Sequence, residues 1–162
     1  MECKTLKIGL DYHGVIDKNP NYFSVFCKLA FERGHQIHII TGGPKAQVKQ
    51  KLEEAHIFYN HIFAIVDYYS SLNQIEYFAS GDYHIPDDLW NKAKGEYCVR
   101  EQIDFHIDDS KEYEQYFFTP YCYYQNMLHS CITKYGVEID FTQPASKALE
   151  QIEQIFFANS KF

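Results

Sequence analysis

The amino-acid sequence predicts an α/β domain, a three-layer sandwich with a mostly parallel central sheet, and three observations carry that prediction. An apolar run, Leu6 to Leu10, stops abruptly in a loop that begins Asp11-Tyr12-His13-Gly14. The first half of the chain alternates short apolar runs with amphipathic ones, the pattern of a parallel sheet covered on both faces. At 162 residues, the chain fits a single domain, 1–162, large enough for a substantial core and too short for a separate substrate-binding domain.

Each element has a local reason. Residues 6–10 read as the first strand, because a short continuous apolar run bounded by a turn signal fits a strand buried on both faces. Asn21 is placed to cap a helix on which Phe23, Phe26, Cys27 and Ala30 share a face, and Gly34 is placed to stop it. Residues 36–40 form the second strand. Thr41-Gly42-Gly43-Pro44 is a turn whose proline opens a helix, with Val48, Leu52 and Ala55 recurring at helical spacing. The all-apolar run 62–66 reads as the third strand.

Residues 67–86 interrupt this rhythm. They carry Ser70, Ser71, Gly81, Asp82 and Pro86 without a clear period, and read as a long loop or minimal cap, either a lid or a surface excursion. From Asp87 a helical pattern resumes through Leu89, Ala93 and Tyr97 and leads into the strand Ile103 to Ile107, which ends in Asp108-Asp109-Ser110. Tyr121 to Tyr124 fits a fifth strand. Pro144 opens a last helix that lays Ala148, Ile152, and Ile155 or Phe156 on the sheet.

Composition removes several classes of function. A net charge of -7 at pH 7 with no clustered basic face argues against a phosphate-backbone binder, since Lys45, Lys49 and Lys51 are followed at once by Glu53 and Glu54. No stretch approaches the roughly 20 apolar residues that cross a bilayer, and the first residues lack the apolar core of a signal peptide, so the expected setting is cytoplasmic, without a membrane partner. The five cysteines at 3, 27, 98, 122 and 131 form no Cys-x-x-Cys pair and read as reduced and structural. Cys27 and Arg33 match the Cys-x5-Arg spacing of cysteine-dependent phosphatases, but they lie on one amphipathic helix with no glycine between them to cradle a phosphate. His38 and His106 fall inside strands and read as satisfied core residues. The 14 Tyr and 13 Phe could stack on a base, although the core also explains them.

Chemistry gathers at strand ends: Asp11 after the first, Thr41 after the second, Asp108 with Asp109 after the fourth. In a parallel sheet those ends share one edge, so residues distant in sequence converge. Crowded carboxylates repel, and a hard cation such as Mg2+ with oxygen ligands resolves the repulsion.

Four segments, taken together and in order, resemble the haloacid dehalogenase (HAD) superfamily of phosphohydrolases: Asp11-Tyr12-His13-Gly14-Val15-Ile16, Ile39-Ile40-Thr41-Gly42-Gly43, Lys94-Gly95-Glu96-Tyr97-Cys98 and Ile107-Asp108-Asp109-Ser110. The resemblance spans residues 6 to 110 and implies a Rossmann-like HAD domain without a large cap. It implies that Asp11 is the nucleophile of an aspartyl-phosphate mechanism. Mg2+ would sit between Asp11, the backbone carbonyl of His13 and Asp108, with Asp109 a ligand directly or through water. Thr41 and the Gly42 N–H would bind the phosphoryl group, and Lys94 would neutralise charge, with Lys92 the competing lysine. The implied substrate is a phosphate ester, a small molecule ahead of a macromolecule.

The sequence departs from that pattern at His13, where these phosphatases usually carry a second Asp that protonates the leaving group. Histidine, with a reference pKa of about 6.5, can act as an acid near neutrality, although a neighbouring dication disfavours the imidazolium. Three outcomes stay open: His13 substitutes as the acid, turnover is slow or limited to good leaving groups, or the chain is a binding module that holds phosphate or a partner without catalysis.

Overall fold

The structure is a computed structural model that describes residues 4–126, 128–132 and 136–158. In chain order, β1 (Lys7–Leu10) passes through a 3-10 turn (Ile16–Lys18) into α1 (Pro20–Glu32), β2 (Gln36–Thr41), α2 (Lys45–Glu54) and β3 (His61–Ala64). Next come α3 (Ile65–Ser71), a hairpin of β4 (Glu76–Tyr77) and β5 (Tyr83–His84), α4 (Asp87–Arg100) and β6 (Phe105–Asp108). A 3-10 turn (Glu112–Tyr116), β7 (Tyr121–Tyr123), β8 (His129–Ile132), β9 (Val137–Asp140) and α5 (Ala145–Ala158) complete the order.

Among the described residues the main sheet runs β3-β2-β1-β6-β7-β8-β9, and its first five strands are parallel. Alternation along the strands feeds two cores. Ile8 and Leu10 of β1, Ile37 and Ile39 of β2, and Phe105 and Ile107 of β6 pack with α1, α2 and α5. Ile40 and Phe63 pack on the opposite face with α3 and α4. The fold is therefore the three-layer, Rossmann-like α/β sandwich expected from the alternating pattern.

Local departures have local causes. Asn19, rather than Asn21, caps α1: its Oδ1 accepts the Tyr22 N–H at 3.3 Å, and Pro20 takes the first helical position, where a missing N–H does no harm. Gly34 follows the helix with φ +83, the left-handed conformation that glycine adopts freely. The apolar run 62–66 splits, with β3 ending at Ala64 while Ile65, Val66 and Tyr69 take helical spacing and pack with Ala93 and Tyr97 of α4. Apolarity alone cannot tell a buried strand from the first turn of a buried helix. Residues 67–86 are not one long loop: they hold most of α3 and the β4–β5 hairpin. The antiparallel extension β8–β9 was not visible in the sequence pattern.

Phe23 is the hub of an aromatic cluster, with ring centroids 5.6 Å from Tyr124, 6.0 Å from Phe26 and 6.3 Å from Phe141. It joins α1 to the segments that follow β7 and β9. Cys27 and Cys98 are buried and free, as expected, and Cys122 is buried; Cys3 and the Cys131 side chain lie outside the description. No helix among the described residues is long and apolar enough to cross a membrane.

His38 is a satisfied core residue, its Nδ1 2.8 Å from the Tyr97 hydroxyl. Burial, and then the neighbouring His61 and Lys7, lower its pKa from the ordinary 6.5 to about 4. The folded chain thus refuses a proton that the unfolded chain accepts, so the contribution of His38 is present above pH 6.5 and lost as the pH falls toward 4. Urea unfolding between these values should show stability falling with acidification, and His38→Asn should flatten that part of the profile.

Candidate functional site

β1 has β2 and β3 on one side and β6 and β7 on the other, so the chain reverses its direction across the sheet between β1 and β6. Crevices beyond the carboxyl ends of strands at such a switch point are where open α/β sheets bind ligands. Asp11 follows β1 there, its N–H donating to the Ile107 carbonyl at 3.0 Å, and Asp108 ends β6. The period of two puts Gly9 and Asp11 on one face of β1, and His106 and Asp108 on the matching face of β6. That face lies under α4.

From α4, the wholly enclosed Lys94 ammonium reaches both carboxylates, 2.7 Å from Asp108 Oδ2 and 3.1 Å from Asp11 Oδ1. Asp108 also has His106 Nε2 at 2.9 Å and accepts the Ser110 N–H at 3.1 Å. Burial opposes its ionisation, but Lys94 and His106 outweigh burial and hold it below the usual carboxylate range. Burial likewise pulls Lys94 toward neutrality, and the two carboxylates overcome it and raise its pKa. Asp11 moves the other way. Burial first, then the charges of Asp108 and Asp109, push its carboxyl well above the ordinary range against the pull of Lys94. Burial and the Asp108 charge also raise Asp109.

His106 belongs to this cluster rather than to a passive core. Burial keeps its pKa below the ordinary value despite the pull of Asp108, against which its Nε2 lies. Nδ1 then has no partner among the described residues and faces Gly9, where a Cβ would come within 2.6 Å of it. The ring stacks on Phe117 with centroids 5.0 Å apart and planes 7° from parallel. The sequence did hold a signal: a His two residues before a catalytic-type Asp on a strand shares its face.

The loop after β1 closes over the cluster. Gly14 takes φ +84, and a Cβ there would collide with the Asp109 carboxylate, so only glycine lets Asp109 approach. The Gly14 N–H donates to Asp17 Oδ1 at 2.7 Å, while Asp17 Oδ2 lies 3.7 Å from Nδ1 of the exposed His13. A cavity of about 480 Å³ opens here, bordered by Asp11, His13, Gly42, Lys94 and Asp109 and also by Asp17, Trp90 and Tyr113.

Asp11, Lys94, Asp108 and Asp109 are thus brought together, with His13 and Gly42 at the same cavity. The Thr41 side chain is not: it is buried at the end of β2, where its Oγ1 accepts the Gly43 N–H at 3.4 Å. Lys92 is exposed and borders a different hollow, with Val99 and Phe118. Trp90 and Tyr113 had no motif to mark them. Carboxylate oxygens of Asp11, Asp108 and Asp109 lie within 4.8 Å of one another. This all-oxygen set, with one ammonium shared between Asp11 and Asp108 and the Asp11 and Asp109 carboxyls still pushed up, fits a small hard cation such as Mg2+. No protein-family model matches the sequence, and neither does any curated protein.

Lys94→Met should leave Asp108 charged and buried without its main partner. Urea unfolding at pH 8 in EDTA should show a loss of about 3–5 kcal/mol. Adding Asp108→Asn should recover more than half of it, whereas additive losses would show that the pair is not the stabilising contact.

Proposed function

We propose that this chain is a Mg2+-dependent phosphohydrolase of HAD type that splits a phosphate ester through an aspartyl-phosphate on Asp11. The observation that carries the reading is the convergence of Asp11, Lys94 and Asp108, drawn from three separate motifs, on one buried cluster beneath a cavity. Folds host many chemistries, so the site and not the sandwich supports the activity.

Asp11 Oδ1 is fixed by the Tyr12 N–H at 2.8 Å and by Lys94 at 3.1 Å, which leaves Oδ2 to attack phosphorus. As that P–O bond forms, the bond to the alcohol breaks and the leaving oxygen takes a proton. His13 is the candidate donor, aligned by Asp17, which is itself tied to the Gly14 N–H. Water, passing a proton to the now neutral His13, then attacks the same phosphorus as the bond from phosphorus to Asp11 breaks; inorganic phosphate departs, and Asp11 and protonated His13 are regenerated. Gly42 borders the cavity, where its N–H would meet the phosphoryl group, and Thr41 acts through the turn that carries Gly42. Lys94 keeps its charge throughout and screens the attacking carboxylate from the phosphoryl oxygens.

The residues that would hold Mg2+ are Asp11, Asp108, Asp109 and the His13 carbonyl. Bound there, the ion supplies the positive charge that lets these carboxylates stay ionised together and draws charge from the phosphoryl oxygens. The acidic balance of the chain, -7 at pH 7, favours a small phosphate ester over a nucleic-acid backbone. The buried free thiols of Cys27 and Cys98 fit a reducing, cytoplasmic setting.

A second reading, a phosphate- or partner-binding module without catalysis, draws on one observation: an exposed His13 stands where an acid carboxylate is usual. The two separate cleanly. Purified protein with Mg2+ should release phosphate from some members of a phosphomonoester panel, and Asp11→Asn should lower that rate about a thousandfold or more. Release no faster than from Asp11→Asn, in both the wild type and His13→Asp, sinks the enzyme reading, whereas a large gain in His13→Asp identifies a competent site limited by its acid. Separately, millimolar Mg2+ should raise the melting temperature of the wild type, and Asp109→Asn should shrink the rise.

A further inference from the structure

We propose that the mouth of this cavity selects phosphomonoesters whose alcohol carries a flat aromatic ring, recognised by Trp90 and Tyr113; the inference rests on the phosphoester reading above. Trp90 stands four residues before Lys94 on α4, so the two side chains share a helix face one turn apart. While Lys94 reaches down to Asp11 and Asp108, the indole borders the cavity above them.

The indole is held from two sides. Its Nε1–H donates to the Tyr113 hydroxyl at 2.8 Å, which satisfies its only polar group and leaves the ring as the surface on offer. A Cβ built on Gly42 would lie 3.0 Å from Cη2 and 3.2 Å from Cζ2, so the edge of the indole rests against the turn proposed to meet the phosphoryl group. Tyr113 is fixed in turn, with the Lys94 ammonium 5.4 Å from its ring centroid. The 3-10 turn that carries Tyr113 lies on α4 at Gly95, where any Cβ would strike the Tyr116 carbonyl.

Two hydrogen-bonded rings therefore border the cavity within reach of Lys94, and His13, Asp17 and Lys18 border it as well. A phosphoryl group at Asp11 points its alcohol into that space. A flat ring gains dispersion and quadrupole contact with this wall, and an aliphatic ring of similar size gains less. The indole, its N–H spent on Tyr113, presents no further donor or acceptor, so it reads flatness, while the Tyr113 hydroxyl keeps its own O–H to donate at the edge of the ring. Aryl esters and nucleotides share that chemistry.

Trp90 is the single tryptophan of the chain, so its fluorescence reports on this wall alone. The test titrates the Asp11→Asn protein, with Mg2+, against benzyl phosphate and cyclohexylmethyl phosphate, two primary alkyl esters that differ in the flatness of the ring. Benzyl phosphate should bind about fivefold more tightly and change the Trp90 emission. By calorimetry, Trp90→Leu in the same background should erase the difference, and Tyr113→Leu should reduce it. Equal affinities, or a preference that survives Trp90→Leu, overturn the ring selection and leave the phosphoester reading standing. No binding of either ester overturns both. Given the preference, adenosine monophosphate against ribose 5-phosphate assigns the ring: an equal or larger ratio points to a nucleobase, a smaller one to a compact aryl group.

Discussion

Lys94 crosses from α4 to the ends of two parallel strands, where its ammonium lies 2.7 Å from Asp108 and 3.1 Å from Asp11. Both carboxylates are buried, and a buried charge without a partner would shift its pKa or unfold its surroundings. The ammonium makes the approach of β1 and β6 tolerable at the point where their side chains are acidic. It also divides the two acids unequally. Asp108 takes the shorter contact together with His106 and Ser110 and is held below the usual carboxylate range, while burial, and then repulsion from Asp108 and Asp109, push Asp11 up.

Much of the surrounding structure exists to permit that contact. Gly9 leaves room for the His106 ring, which in turn orients Asp108. Gly14 lets Asp109 come close, and Gly95 lets the backbone at Tyr116 pass over α4. Each of these three glycines stands where another backbone or side chain would occupy the space of a Cβ, the close approach that glycine alone allows. Packing and polarity act together here: His106 is stacked flat on Phe117, so the ring that serves Asp108 is positioned by an apolar contact.

Legibility from sequence followed the range of the forces involved. The first four parallel strands and α1, α2, α4 and α5 were marked by periodicity and by turn residues, which are local signals. The boundary between β3 and α3 was misjudged because the apolar run 62–66 serves both elements, and the α1 cap was placed at Asn21 when Pro20 already fixes the start of the helix after Asn19. The β4–β5 hairpin is exposed on both strands, so it lacks the apolar alternation that would announce it. At the site, Asp11, Asp108, Asp109 and Lys94 were readable because each ends a strand or stands in a recognisable segment. His106 left one signal, its place two residues before Asp108 on the same strand face, whereas Trp90 and Tyr113 left none, since their importance lies only in what they touch.

By itself, the sequence determined the layering of the sheet and which residues reach its carboxyl edge, because alternation of apolar and polar side chains is set residue by residue along the chain. Tertiary structure decided which of Lys92 and Lys94 meets the acids, which carboxyl is pushed up and which held down, and that an aromatic pair borders the cavity. Those outcomes depend on distances between segments far apart in the chain and on burial in a shared low-dielectric space, quantities that no local pattern encodes.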